Sequence, residues 1–186
     1  MKVKMELRSL SAGDGREIYD MLQQMPAEEN GFFNPMQGKN YEEYRAWLVC
    51  EQADARRTEI VDGWKVPQST FWLYADGLPV GMARLRHFLT GSLLEDGGSI
   101  GYAIRPGWRG KGYGRALLGF VLERAWAMGL DRVLITVHNG NLPSIRTALA
   151  NGGVIDRIGR KCHYIEITRP ACGPASFPHT SQESER

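Results

Sequence analysis

The sequence predicts an α/β domain built on a mixed sheet, and three observations predict it. Short β-prone runs and longer runs of helical period follow in the order strand, two helices, three strands, helix, strand, helix, two strands. A basic, glycine-rich turn, Arg109-Gly110-Lys111-Gly112-Tyr113-Gly114, separates a strand from a long amphipathic helix. A later run, residues 132–137, is almost continuously apolar, as in a central strand covered on both faces.

The elements follow in order. Residues 3–7 alternate Val3, Met5 and Leu7 with Lys4 and Glu6, the period of a strand. A helix starts within residues 11–14, carries Ile18, Met21, Leu22 and Met25 at helical spacing, and stops at Pro26. Residues 28–38 read as a loop. Asn40 with Glu43 forms a capping box, and Tyr41, Tyr44, Trp47 and Leu48 continue an amphipathic helix to about residue 57. After a loop over residues 59–69, strands at residues 70–75 and 80–88 flank the turn Asp76-Gly77. Residues 89–98 read as a loop carrying Glu95 and Asp96, and residues 99–104 as the next strand. The helix after the glycine turn spans residues 112–128, buries Leu117, Leu118, Val121, Leu122 and Ala125, and ends at Gly129. Asn141 caps a short helix that Gly152-Gly153 ends, and residues 154–158 and 161–167 close the domain as a hairpin around Gly159-Arg160. The domain is expected over residues 1–168, and residues 169–186, rich in Pro, Ser and charge, as a disordered tail.

Composition narrows the function classes. The chain has 186 residues, 42% apolar and 24% charged, enough for one domain with a sizeable core. Basic residues number 23 and acidic ones 21, so the net charge of +2 makes no global case for nucleic acid or an anionic membrane. Cys50, Cys162 and Cys172 are odd in number and lack CxxC spacing, which argues against a disulfide framework or a zinc site and for a reducing, cytoplasmic setting. The N-terminus lacks the apolar stretch of a signal peptide.

The glycine turn is the most informative segment. The first N–H groups of a helix have no intrahelical partner and the helix dipole favours negative charge there, so such a turn suits a phosphate. A Walker A loop requires Gly-Lys-Ser/Thr, but Gly112 follows Gly110-Lys111; a dinucleotide fingerprint requires Gly-x-Gly-x-x-Gly, but the spacing is Gly-x-Gly-x-Gly. The pattern that fits is Arg-x-x-Gly-x-Gly, carried by Arg109, Gly112 and Gly114. With Ile100-Gly101-Tyr102-Ala103-Ile104-Arg105-Pro106 before it, and Val133-Leu134-Ile135-Thr136-Val137 and Asn141-Leu142-Pro143-Ser144-Ile145 after it, this resembles the acetyl-CoA loop of the GNAT superfamily of N-acyltransferases. The similar region covers residues 71–167, and its middle also looks like a group of bacterial predicted acetyltransferases.

The resemblance implies a single-domain fold whose mixed, mostly antiparallel sheet splays between two parallel central strands and is flanked by helices. It implies acetyl-CoA as acyl donor and a primary amine of a small-molecule or amino-acid-like acceptor, with direct attack of the amine on the thioester; a homodimer is common for such folds. The backbone of Ala103 and Ile104 would hold pantetheine, and Arg109, Gly110, Lys111, Gly112, Tyr113 and Gly114 the pyrophosphate. Asn141 and Ser144 would touch the cofactor, although Asn141 is equally explained as a helix cap. The Tyr that many members carry in the last helix is absent, its position falling at Ala148, and no carboxylate stands at Gly98 or Ser99. Catalytic candidates are therefore Glu95, as a base from a loop, and Tyr164, as an acid from the last strand, each also readable as a surface or packing residue; Asp96, His87 and His138 are further ionisable groups. Glu28, Glu29, Asn34, Phe32 and Phe33 would border the acceptor, while Trp64 and Trp72 read as core or edge aromatics. No metal site is expected. A non-catalytic acyl-CoA-binding module is the other reading, and a generic nucleotide binder ranks below both because the two nucleotide fingerprints fail.

Overall fold

The computed structural model describes residues 3–63 and 65–171. The outermost strand, β1 (Met5–Ser9), starts two residues later than the alternation predicts. Its partner sets the limit: Met5 lies opposite Ala75, the last residue of β4, and the chain turns there through Asp76. Helix α1 (Arg16–Gln24) buries Ile18, Met21 and Leu22. Helix α2 (Tyr41–Asp54) opens on the capping box, Glu43 N donating to Asn40 Oδ1 and Asn40 N to Glu43 Oε2, both at 2.9 Å.

The loop expected between these helices contains a small hairpin, β2 (Glu28–Glu29) and β3 (Phe32–Phe33), turning at Asn30 and Gly31 with φ of 52° and 82°. Strands β4 (Gln68–Ala75) and β5 (Leu78–Arg86) pair around Asp76-Gly77, again both at positive φ, as a two-residue hairpin turn requires. The loop expected at residues 89–98 contains one turn of helix, α3 (Gly91–Glu95). Then come β6 (Ile100–Ile104), α4 (Tyr113–Ala127), β7 (Arg132–His138), α5 (Leu142–Ala150), β8 (Val154–Ile158) and β9 (Cys162–Thr168). The expected tail lies, from residue 172 on, outside the described residues, as do Cys172 and Trp64.

Besides the two-stranded β2-β3 hairpin, two antiparallel sheets form, β1-β4-β5-β6 and β7-β9-β8. They meet where Ser99 N donates to Leu134 O at 2.6 Å and Leu134 N to Ser99 Oγ at 3.1 Å. Beyond this junction β6 and β7 run on to line one cleft, β6 through Gly101–Ile104 and β7 through Ile135–His138, the splayed arrangement expected. The expectation that β7 is covered on both faces needs correction. Val133, Ile135 and Val137 are buried on the α4 side, but Leu134 and Thr136 are only half-buried, because the core formed by α1 and α2 includes no residue of β7.

Helices cover both faces of the larger sheet. On one side α4 packs Leu117, Leu118, Val121, Leu122 and Ala125 against Leu73, Leu85, Ile135 and Ile165. On the other, α1 and α2 pack Ile18, Met21, Leu22, Tyr44 and Leu48 against Trp72, Tyr74 and Met82. The strands between the layers are therefore buried on alternate sides, and Phe71 to Ala75 are all inaccessible.

Candidate active site

The cleft has a volume of about 730 Å³ and opens where the two sheets part. Its closed end is the Ser99–Leu134 junction. Gly98 is required there twice over: its φ is +63°, and a Cβ would stand 2.6 Å from Leu134 O and 3.0 Å from Thr136 N. Its other end is the glycine turn. Gly107, Gly110 and Gly112 have φ of 64°, 74° and 84°, and a Cβ at any of them would meet nothing, so conformation and not space selects glycine. Gly112 is the N-cap of α4, and no side chain caps that helix. Its first-turn N–H groups are thus left for a ligand.

The structure brings most of the predicted cofactor residues onto one surface. Ala103, Ile104, Arg109, Gly110, Gly112, Gly114, Asn141 and Ser144 all line the cleft. Lys111 and Tyr113 are not among the lining residues. The Lys111 ammonium donates to Gly107 O at 3.1 Å and lies over the Trp108 ring, while the Tyr113 ring is buried beside Trp108. Arg115, which the motif does not mark, lines the cleft from the first turn of α4. Arg109 is engaged on both sides: Nε donates to Ile104 O at 2.9 Å, and Nη1 and Nη2 grip the Glu29 carboxylate at 2.9 and 2.5 Å. The β2–β3 hairpin is thereby tied to the glycine turn.

Asn141 caps α5, its Oδ1 accepting from Ser144 N at 3.3 Å. The Ser144 hydroxyl meets the Tyr102 hydroxyl at 2.7 Å. Tyr102 was not singled out in the sequence, yet its phenol lines the cleft, and burial pushes its pKa up against the opposing pull of Ser144 and Thr147. The only signal available was its place in β6 between Gly101 and Ala103, which face the opposite side of the strand.

The two catalytic candidates lie beside the cleft and not on it. The Tyr164 hydroxyl donates to Glu95 O at 2.8 Å, and the Glu95 carboxylate accepts from Arg157 Nη2 at 3.3 Å. Arg157 also covers the Tyr164 ring, with Cζ 3.5 Å from its centroid. These contacts fasten α3 to the β8–β9 hairpin. Of the other ionisable groups, Asp96 and His138 line the cleft. His87 does not; it bonds Ser69 Oγ at 2.9 Å and burial lowers its pKa. Ala148 is buried in the core. Glu29 is taken by Arg109, and Asn34 serves structure, donating to Leu22 O and Met25 O. Phe32 lies 3.4 Å from where a Gly101 Cβ would be, so it roofs the small-residue face of β6, and Phe33 lines the cleft beside it. Trp72 is a core residue, its indole donating to Asp14 Oδ2 at 2.6 Å.

Two arginines complete the wall. Arg84 and Arg86 project from one face of β5, with Arg84 opposite Gly101. Arg84 Nη1 donates to Phe33 O at 2.7 Å, and its Nε is buried without a partner. Arg86 Nη1 donates to Gly97 O at 2.9 Å and Gly98 O at 2.7 Å. Burial pulls both guanidinium pKa values down, Glu51 opposing this for Arg84 and Asp96 for Arg86. Among the described residues neither arginine forms an ion pair, no group of His, Cys, Asp and Glu is placed to hold a metal, and no helix is long and apolar enough to cross a membrane.

Comparison with known proteins agrees with this architecture. No curated protein matches the sequence. Among solved structures, the ribosomal L7/L12 alpha-N-protein acetyltransferase RimL in complex with coenzyme A aligns with a TM-score of 0.68 at 13% identity, over 90% of this chain and 98% of that one. The ribosomal-protein-S5-alanine acetyltransferase of Vibrio fischeri aligns at 0.65 and 14%, over 91% and 96%. The Campylobacter jejuni N-acetyltransferase PseH in complex with acetyl coenzyme A aligns at 0.60 and 10%, over 90% and 100%. These likenesses show the fold. The sequence profile of the Acetyltransferase (GNAT) family matches residues 27–152, more than half of the chain, and the chain belongs to that family.

Proposed function

We propose that the protein is an acetyl-CoA-dependent N-acetyltransferase acting on the primary amine of a small-molecule or amino-acid-like acceptor. The observation that carries this reading is the cleft between β6 and β7 that ends at the uncapped N-terminus of α4. A diphosphate fits there: Gly110 and Gly112 leave open space, the first-turn N–H groups have no capping side chain, and Arg115 adds positive charge. Arg109 and Gly114 complete that end, Ala103 and Ile104 offer the exposed edge of β6 to the pantetheine arm, and Asn141 and Ser144 bound it from α5. Lys111 and Tyr113 contribute main-chain geometry to the turn.

In the reaction the amine nitrogen attacks the thioester carbon, the C–N bond forms, the C–S bond breaks, and the nitrogen loses a proton. Tyr102 is the phenol in the cleft, and burial keeps it protonated, the form that can donate to a leaving thiolate. Asp96 and His138 face the cleft and are the groups assigned to take the amine proton, since the Glu29 carboxylate is paired with Arg109. Glu95 and Tyr164 hold α3 in place in this reading. Cys50 and Cys162 carry free thiols, which suits a reducing cytosol.

The test is release of CoA thiol from acetyl-CoA with a panel of primary amines. Amine-dependent release that falls at least 10-fold in Tyr102→Phe supports the reading. Acetyl-CoA binding with no amine-dependent release supports the non-catalytic module instead.

A further inference from the structure

Arg84 and Arg86 lie away from the glycine turn, where the diphosphate of the donor is placed by the proposed function. Arg84 stands opposite Gly101, and the backbone N–H of Arg86 bonds Ser99 O, so both lie at the start of β6. The glycine turn begins after Ile104. At about 3.3 Å per strand residue, the two arginines sit roughly 10–17 Å from the turn, at the other end of the cleft. They also lie on the α1–α2 side of the sheet, under the β2–β3 hairpin, whereas α4 and α5 cover the opposite side.

Two cations at a closed end are costly to bury without a counter-charge. Glu51 acts on Arg84 only from a distance and forms no ion pair with it, its carboxylate oxygens accepting from Trp47 Nε1 at 3.2 Å and Thr70 Oγ1 at 2.9 Å. Asp96 is exposed at the rim. Carbonyl oxygens satisfy Nη1 of each arginine, and Arg84 Nε remains buried with no partner. Phe32 packs near the Arg84 guanidinium, its ring centroid 5.4 Å from Cζ, and fixes the fork in place. A planar fork with a spare donor suits a carboxylate.

We propose that Arg84 and Arg86 form a carboxylate subsite, so that the acceptor carries a carboxylate close to its amine. The proposal rests on the acyltransferase reading and narrows it: simple alkyl amines and amino-acid amides are poor acceptors, and amino acids or peptides that present a nearby carboxylate are good ones.

The experiment uses the full chain. CoA is titrated first by calorimetry; failure at that step removes the acyltransferase reading itself. The CoA-loaded protein is then titrated with N-acetyl amino acids, which mimic the product, with their C-terminal amides, and with inorganic phosphate, while the Arg84 Nε–H resonance is followed by NMR. The expected result is that at least one N-acetyl amino acid binds 10-fold or more tightly than its amide and shifts the Arg84 signal. Arg84→Gln and, separately, Arg86→Gln should each reduce that preference to under 3-fold. The wild-type resonance keeps the test valid if one variant fails to fold. Equal binding of acid and amide, no binding of any acid, selective binding of phosphate, or a preference that survives both substitutions overturns the subsite.

Discussion

Replacing Gly98 by Ala should open the junction on which the cleft depends. The new Cβ would stand 2.6 Å from Leu134 O and 3.0 Å from Thr136 N, both main-chain atoms that no side-chain rotation can move. The residue would also be held at a φ of +63°, which costs a non-glycine residue about 1 kcal/mol. Relieving the clash pushes β7 away from Ser99, which breaks the Ser99 N to Leu134 O bond of 2.6 Å and the Leu134 N to Ser99 Oγ bond of 3.1 Å. Each such bond contributes about 1 kcal/mol net. The expected loss is about 3 kcal/mol, read in urea as a midpoint lower by about 1–3 M at an unchanged slope. Gly140→Ala is the control, because a Cβ there meets nothing and its φ is not positive; its midpoint should stay within about 0.3 M of the parent. A Gly98→Ala midpoint equally close to the parent would refute the claim that main-chain contact at Gly98 closes the cleft.

Gly112→Glu should abolish acetyl-CoA binding, since it puts a carboxylate where the diphosphate is expected and forces a side chain onto a φ of 84°; unchanged affinity by calorimetry would sink the assignment of the turn. Arg109→Ala should weaken acetyl-CoA by about 1–3 kcal/mol, the scale of a charge-assisted bond. Glu29→Gln should tighten it by releasing the guanidinium, and if both substitutions weaken it alike, Arg109 acts only as an anchor for the hairpin. Stability should be flat at neutral pH and fall at both extremes. Burial raises the pKa of Tyr44 and Tyr102, so above about pH 10 the unfolded chain loses those protons first and the folded state loses ground. Burial lowers that of His87, so below about pH 6.5 the unfolded chain binds the proton first and stability falls again. Urea midpoints from pH 5 to 11 check both signs.

Local chemistry was the legible part of the fold. The Asn40–Glu43 box, the Asp76-Gly77 turn and the glycine after α4 each specify their own backbone, and each formed as expected. Asn30-Gly31 carried the same kind of turn signal but lacked long flanking strands; its hairpin is held by tertiary partners, Arg109 on Glu29 and Arg84 on the Phe33 carbonyl. The bend of the glycine turn was legible because it is a property of the backbone, with Gly107, Gly110 and Gly112 all at positive φ. Side-chain direction was not. Lys111 folds back on its own turn, Tyr164 reaches the Glu95 carbonyl of α3, and irregular pairing between Ile155 and Arg157 brings Arg157 opposite Tyr164. Arg84 and Arg86 belong to no sequence motif, and the β2–β3 hairpin above them makes their side of β5 a wall of the cleft.

The most direct measurement is calorimetric titration of the full chain with acetyl-CoA, run beside ATP and NAD. Saturable one-site binding of acetyl-CoA, at least 10-fold tighter than either nucleotide and lost in Gly112→Glu, is the expected result. No binding of acetyl-CoA, or equal binding of all three, would contradict the assignment of the β6–β7 cleft and the α4 N-terminus as an acyl-donor site.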